Sequence, residues 1–125
     1  MSDTPSSVLV LGEALVDAVL KSGQPTAEHV GGSPANVAFG LGALGHAPAL
    51  ASWFGPDARG DRIAARCVEA GVRVVAGSDG ADHTSVAYAT LDATGQASYT
   101  FDLTWRLPAL GDTSAVRHVH TDSIA

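Results

Sequence analysis

The stretch Gly31-Gly32-Ser33-Pro34-Ala35-Asn36, running into an Ala/Gly-dominated segment that ends near His46, constrains this chain more than any other. Two adjacent glycines let the backbone take positive φ and approach a ligand closely. Ser33 is a strong N-cap choice, and Pro34 suits a first helical position, where its missing N–H costs nothing. Asn36 then falls in the first turn, beside backbone N–H groups and the positive end of the helix dipole. Such a loop holds oxygen-rich groups at a helix start. It points to a polar small-molecule site.

The rest of the composition fits that reading. At 125 residues, 46% of them hydrophobic, the chain supports one domain with a real core. A net charge of −6, with seven scattered basic residues, disfavours nucleic acid and anionic membranes as partners. The single cysteine, Cys67, has no internal disulfide partner, which favours a reducing compartment. The polar start, Met1 to Ser7, has no basic segment, and the apolar run Val8 to Leu11 is far too short to span a membrane. A cytoplasmic location is expected.

Alternating strand and helix signals fill the first three-fifths. Val8 to Leu11 reads as a strand buried on both faces and stopped by Gly12. Alternation continues from Glu13 to Leu20, broken by Asp17 among apolar neighbours, and Lys21 to Glu28 reads as a turn around Gly23 and Pro25. A helix is predicted over Pro34 to Gly45, a strand over Ala49 to Phe54, and a second helix over Ala58 to Ala70. Asp57 is its expected N-cap, Gly71 its C′ residue, and Ile63, Ala64, Cys67 and Val68 its apolar stripe. Val72 to Val75 closes a pattern that predicts a parallel sheet flanked by helices. After Gly77 the pattern changes. Thr84 to Leu91 and Gln96 to Leu103 alternate around Asp92-Ala93-Thr94-Gly95, a hairpin with one apolar face and little reason to join the parallel sheet. Thr104 to Ser114 reads as loop and Val116 to His120 as a further strand. Because the chain stops at Ala125 without a covering helix, it reads as the front part of a longer enzyme.

These residues resemble the ribokinase-like (PfkB) carbohydrate kinases. Gly31 to Ala38, followed by Gly45 and Gly55, fits that family's first signature. Gly12-Glu13-Ala14-Leu15-Val16-Asp17 is similar to the opening strand of bacterial fructokinases. Gly55-Pro56-Asp57-Ala58-Arg59-Gly60 matches G-x-D-x-x-G, and Tyr88 to Phe101 resembles the lid hairpin. Four motifs in the right order are more specific than any one of them.

The resemblance implies an α/β fold: a three-layer α/β/α ribokinase-like core with a small β-sheet lid (hairpin about 84–103), truncated before the nucleotide-binding half, so that residues 1–125 are the N-terminal part of one domain. It implies a sugar held between lid and core, and ATP with Mg²⁺ as the phosphoryl donor of the full-length parent. By position, Asp17 accepts hydrogen bonds from sugar hydroxyls and Asn36 both donates and accepts. Gly31 and Gly32 form the lid hinge, with Gly32 offering backbone to the sugar, and Phe101 closes over it. A carboxylate and an amide together discriminate hydroxyl patterns, since an unmatched buried polar group is costly. The family's Gly-Ala-Gly-Asp motif, which supplies the base and an anion hole, does not occur here. The resemblance therefore implies that this polypeptide alone is not a kinase. Fructose is favoured over ribose, nucleosides or keto-deoxy sugar acids.

Other features have simpler readings. Asp57 is explained by capping. Gly40-Leu41-Gly42-Ala43-Leu44-Gly45 matches G-x-G-x-x-G but lies inside a helix, so its glycines are expected to serve helix–sheet packing. His118 and His120 share a strand face with too few ligands for a metal. Cys67 reads as inert core, and Trp53 and Trp105 as core or lid-surface aromatics. The alternative function is a non-catalytic sugar-binding module, or one that forms homodimers through its lid sheet. A doubly wound nucleotide-binding domain is a third.

Overall fold

The computed structural model describes residues 6–121; the polar opening residues 1–5 and the last residues, 122–125, lie outside them. Strand β1 (Val8–Leu11) is apolar on both sides and sits inside a parallel sheet. It pairs with β4 (Ala49–Ala51) on one side and β8 (His118–Thr121) on the other, and β5 (Arg73–Val74) extends the order to β5-β4-β1-β8. Val10 and Leu50 are register partners and point to one face. There they pack with Ala35, Ala38 and Phe39 of helix α1 (Ser33–Ala43) and with Ile63 and Cys67 of helix α2 (Ala58–Ala70). Burying each large aliphatic of this layer stabilises the fold by roughly 1.5–3 kcal/mol. On the opposite face Leu9, Ala49 and Ala51 meet Val75, Leu110 and Val116. This chain thus supplies the sheet and one helical layer of the α/β architecture, and among the described residues the second face is covered by loop.

The lid is larger than the expected hairpin. It is a four-stranded sheet in the order β3-β2-β6-β7. Strand β2 (Leu15–Lys21) and strand β3 (Gln24–Gly31) form one hairpin. Strand β6 (Val86–Leu91) and strand β7 (Ala97–Asp102) form the other, and β2 runs parallel to β6. The segment Lys21 to Glu28, read as a turn, is mostly strand. Only Ser22 and Gly23 turn the chain, with φ of 52° and 76°, the doubly left-handed geometry that matches the twist of a hairpin. Pro25 misled because proline interrupts central strands, yet it is tolerated on the edge strand β3, opposite a register shift at Val19/Leu20.

A second correction concerns Asp17. It does not lie on the opening strand: β1 ends at Leu11, and Gly12 breaks the chain with a φ of 149°. Asp17 belongs to lid strand β2. Smaller differences follow local packing. Ser33 is not the N-cap; Gly32 is, with φ 98° and ψ 129°. Helix α1 stops at Ala43 rather than Gly45, and β4 stops at Ala51 rather than Phe54. Val68 is exposed rather than in the apolar stripe of α2, because Gly60, Ile63 and Cys67 centre that stripe and position 68 lies roughly 100° round from Cys67.

Candidate functional site

The two sheets meet where β3 runs into α1, and four of the expected site residues gather there. Gly31, the last residue of β3, is buried against Asp17. A Cβ built on it would collide with Asp17 Oδ2 and lie 3.4 Å from Asp17 Cγ. Glycine is what admits the carboxylate to this junction. Gly32 is equally confined, since a Cβ there would come 2.7 Å from the Glu13 carbonyl oxygen. Its positive φ and this crowding together exclude a side chain. One turn later the Asn36 N–H donates to the Gly32 carbonyl at 2.9 Å, and no side chain caps the helix. Asp17 and Asn36 are both exposed, with their anchors on consecutive residues.

Phe101 stands further out. Pairing places Asp17 opposite Ala87 and Ala87 opposite Phe101, with His29 opposite Asp17 on the other side. These four residues form one row on one lid face, as the two-residue period of strands requires. Phe101 is therefore two strand spacings from Asp17, about 10 Å, with the small Ala87 between. It is 60% exposed and stacks on Tyr99, 66% exposed, at 6.5 Å between ring centroids.

Asp57 holds the lid's other entry point. Its Oδ1 accepts from the Gly60 N–H at 2.8 Å and from the Thr84 hydroxyl at 2.6 Å, and its Oδ2 accepts from the Thr84 N–H at 2.8 Å. Burial pushes the Asp57 carboxyl upward, but the hydrogen bonds from Thr84 and Gly60 outweigh it and hold the group below the ordinary carboxylate range. The capping role is present, and a staple to the strand leading into β6 is added to it. Gly55 and Gly60 of the same motif pack closely: a Cβ on Gly55 would lie 2.6 Å from His83 Cα.

One cluster was not expected from the sequence. Arg59 of α2 makes a forked pair with Glu28 of β3, 3.1 Å from Nε to Oε1 and 2.9 Å from Nη2 to Oε2. Arg62 reaches the same carboxylate at 3.2 Å. The Arg59 guanidinium is the main reason that Glu28 titrates below its usual range, against an upward push from burial. Arg59 and Arg62 sit one helical turn apart, a visible signal. Glu28 lies in a segment whose Gly23 and Pro25 suggest a turn, and its partner is 31 residues away.

The remaining singled-out residues lie apart from this junction. Of the G-x-G-x-x-G glycines, only Gly42 makes a close approach: a Cβ there would strike the Ala70 carbonyl of α2. That is helix–helix rather than helix–sheet packing, and it leaves no loop for phosphates. Burial pushes the Cys67 thiol up to about 11. His118 and His120 face the α1 side of β8 through pairing with Val8 and Val10. Among the described residues no group of three or more His, Cys, Asp or Glu could hold a metal ion. Trp53 is half-buried, with the Arg106 guanidinium 5.9 Å from its ring centre. No helix among the described residues is long and apolar enough to cross a membrane.

Comparison with known proteins identifies the family and the fold. The family model for pfkB family carbohydrate kinases matches residues 5–115. No curated protein sequence matches. Among solved structures, a fructokinase with bound ATP from Xylella fastidiosa is 28% identical with a TM-score of 0.57, over 78% of this chain and 33% of its own. The apo fructokinase of Vibrio cholerae O395 is 28% identical with a TM-score of 0.66, over 80% and 35%. A microbiome-derived acarbose kinase, Mak1, is 27% identical with a TM-score of 0.66, over 94% and 46%. The chain spans between a third and a half of the length of these structures.

Proposed function

Because this chain belongs to the pfkB family of carbohydrate kinases, we propose that it is the sugar-binding portion of an ATP-dependent kinase whose whole form phosphorylates a fructose-like sugar. One observation carries the reading: Gly31 lacks the Cβ that would collide with the Asp17 carboxylate, so an acceptor of hydroxyl protons stands at the start of the helix that bears Asn36. Asp17 accepts from two sugar hydroxyls, the Asn36 amide both donates and accepts, and the Gly32 backbone lines the approach. The row from Asp17 through Ala87 to Phe101 gives the sugar a floor with a polar end and an aromatic end, and aromatic faces cover sugar C–H surfaces well. The lid keeps water from competing as phosphoryl acceptor.

ATP and Mg²⁺ enter as the donor of the whole enzyme, a use supported by the family and by the ATP-bound fructokinase. The glycine-rich stretch at Gly40 to Gly45 is engaged in helix packing at Gly42 and offers no phosphate cradle. Our reading is that the 125-residue polypeptide by itself binds sugar without phosphorylating it. Calorimetry with fructose, ribose and ATP tests this. Fructose binding that Asp17→Ala abolishes supports the reading. ATP-dependent turnover of fructose by the purified chain refutes the inactivity. A non-catalytic dimerising module is the second reading, favoured by the exposed Tyr99–Phe101 stack on the lid, and sedimentation of Tyr99→Ser/Phe101→Ser beside the unaltered chain decides it.

A further inference from the structure

The two faces of the lid sheet do different things. Asp17, His29, Ala87 and Phe101 share one face; Glu28, Ala18 and Tyr88 form the neighbouring row on the other. Ala18, small and 2% exposed, lies between a carboxylate and a phenol. The Arg59 guanidinium forks onto Glu28 and lies near enough to Tyr88 to interact with it electrostatically. Arg62 adds a second cation to Glu28. Ile63, one turn on from Arg59 and roughly 40° round the helix, and Cys67 are fully buried in the core. Helix α2 is thus seated in the core by its apolar stripe while Arg59 and Arg62 reach Glu28 of the lid.

We propose that Glu28, Arg59 and Arg62 form an ionic latch that sets the tilt of the lid against α2, and that they are positioning residues for Asp17. The proposal rests on the reading of the lid as the cover of the sugar site. Glu28 immediately precedes His29, the residue paired with Asp17 across β2 and β3, so a shift of β3 at the latch moves the carboxylate. Further ties between lid and core lie at the chain crossings, among them Gly31–Gly32, Thr84 held by Asp57, and His83 at 3.1 Å from the Asp102 carboxylate. The latch grips the body of the sheet instead. A forked arginine–carboxylate pair is directional and restrains rotation as well as separation. The Arg59 and Glu28 side chains are 34% and 18% exposed, so solvent ions reach the pair and screen it.

Hydrogen exchange of the 125-residue chain, read by mass spectrometry without ligand, tests the latch. Exchange in β2, β3 and β6 rises about tenfold when salt is raised from about 0.05 M to about 0.5 M, because screening weakens the pair. Amides of α1 and β4 stay within about twofold over that range. Glu28→Gln raises lid exchange at low salt and removes most of its salt dependence. Glu28→Arg combined with Arg59→Glu recovers much of the protection that Glu28→Arg alone loses, which a purely steric role would not allow. Lid exchange indifferent to salt, or lid and core amides accelerating together, overturns the latch. The salt series on the unaltered chain decides the matter even where a variant does not fold. Sugar affinity is measured separately by calorimetry, so loss of the latch and loss of the sugar-site reading are told apart.

Discussion

The Asp17 carboxylate occupies the space that a side chain at position 31 would need. This relationship joins two residues 14 positions apart in sequence and makes the double glycine part of the lid as much as of the helix start. Gly31→Ala forces the carboxylate aside or strains β3. The variant is expected to bind fructose at least about tenfold more weakly and to lose less than about 1 kcal/mol of stability, because the exposed carboxylate end can swing aside. Asp17→Ala removes the obstacle, so Asp17→Ala/Gly31→Ala is more stable than the sum of the single changes implies. A double-mutant cycle by urea denaturation measures that coupling.

Asn36 separates differently. Its backbone N–H closes the first turn onto Gly32, and that bond survives substitution. With its side chain exposed, Asn36→Ala is expected to change stability by less than about 0.5 kcal/mol. Fructose affinity nevertheless falls about tenfold or more through loss of a matched amide. Calorimetry beside thermal melting reads both, and an unchanged affinity removes Asn36 from the site.

Asp57 accepts three hydrogen bonds, two of them from Thr84, which is 2% exposed. Asp57→Ala deletes a helix cap worth about 1 kcal/mol and strands a buried donor pair at a further 1–3 kcal/mol or so. The expected loss is about 2–4 kcal/mol by denaturant titration, much above that of any exposed carboxylate. Thr84→Val loses a smaller share, because the Gly60 bond persists.

The helical core was readable because its signals are local. Ile63 and Cys67 repeat at helical spacing, Gly71 takes the left-handed φ of 75° at the end of α2, and Asp57 caps its start. The 92–95 turn was equally plain: Asp92 Oδ1 accepts from the Thr94 and Gln96 N–H groups, a local pattern that needs no tertiary context. What escaped depends on distant pairing. The run from Gly12 to Asp17 looks like a continuation of β1 because both segments are apolar and β-favouring, and only the turn at Gly12 sends it to the other sheet. Pro25 looks like a breaker until β3 is known to be an edge strand. Glu28 and Arg59 lie 31 residues apart, and neither announces its partner. The motif residues at 31, 32 and 36 were visible as a loop, but the meeting of Gly31 with Asp17 follows from β2–β3 register, in which Leu15 stands opposite Gly31.

Four carboxylates are held below their ordinary range, and of these Glu28 and Asp57 tie lid to core while Asp92 and Asp112 sit in exposed turns. Arg59 holds Glu28 below its usual range, while the hydrogen bonds of Thr84 and Gly60 hold Asp57 below its own despite burial. In the unfolded chain both groups take up protons near their ordinary values, about 4. Between those values and the lower folded ones, the unfolded state binds more protons, so stability falls as pH falls. Full stability is present above about pH 5 and is lost progressively below about pH 4.5. Glu28→Gln and Asp57→Asn are each less stable than the unaltered chain at pH 7, and each shows a shallower decline on acidification. Urea midpoints measured from neutral pH down to about pH 3 resolve the difference. Curves that stay parallel for all three proteins would mean that the acid sensitivity arises at other carboxylates.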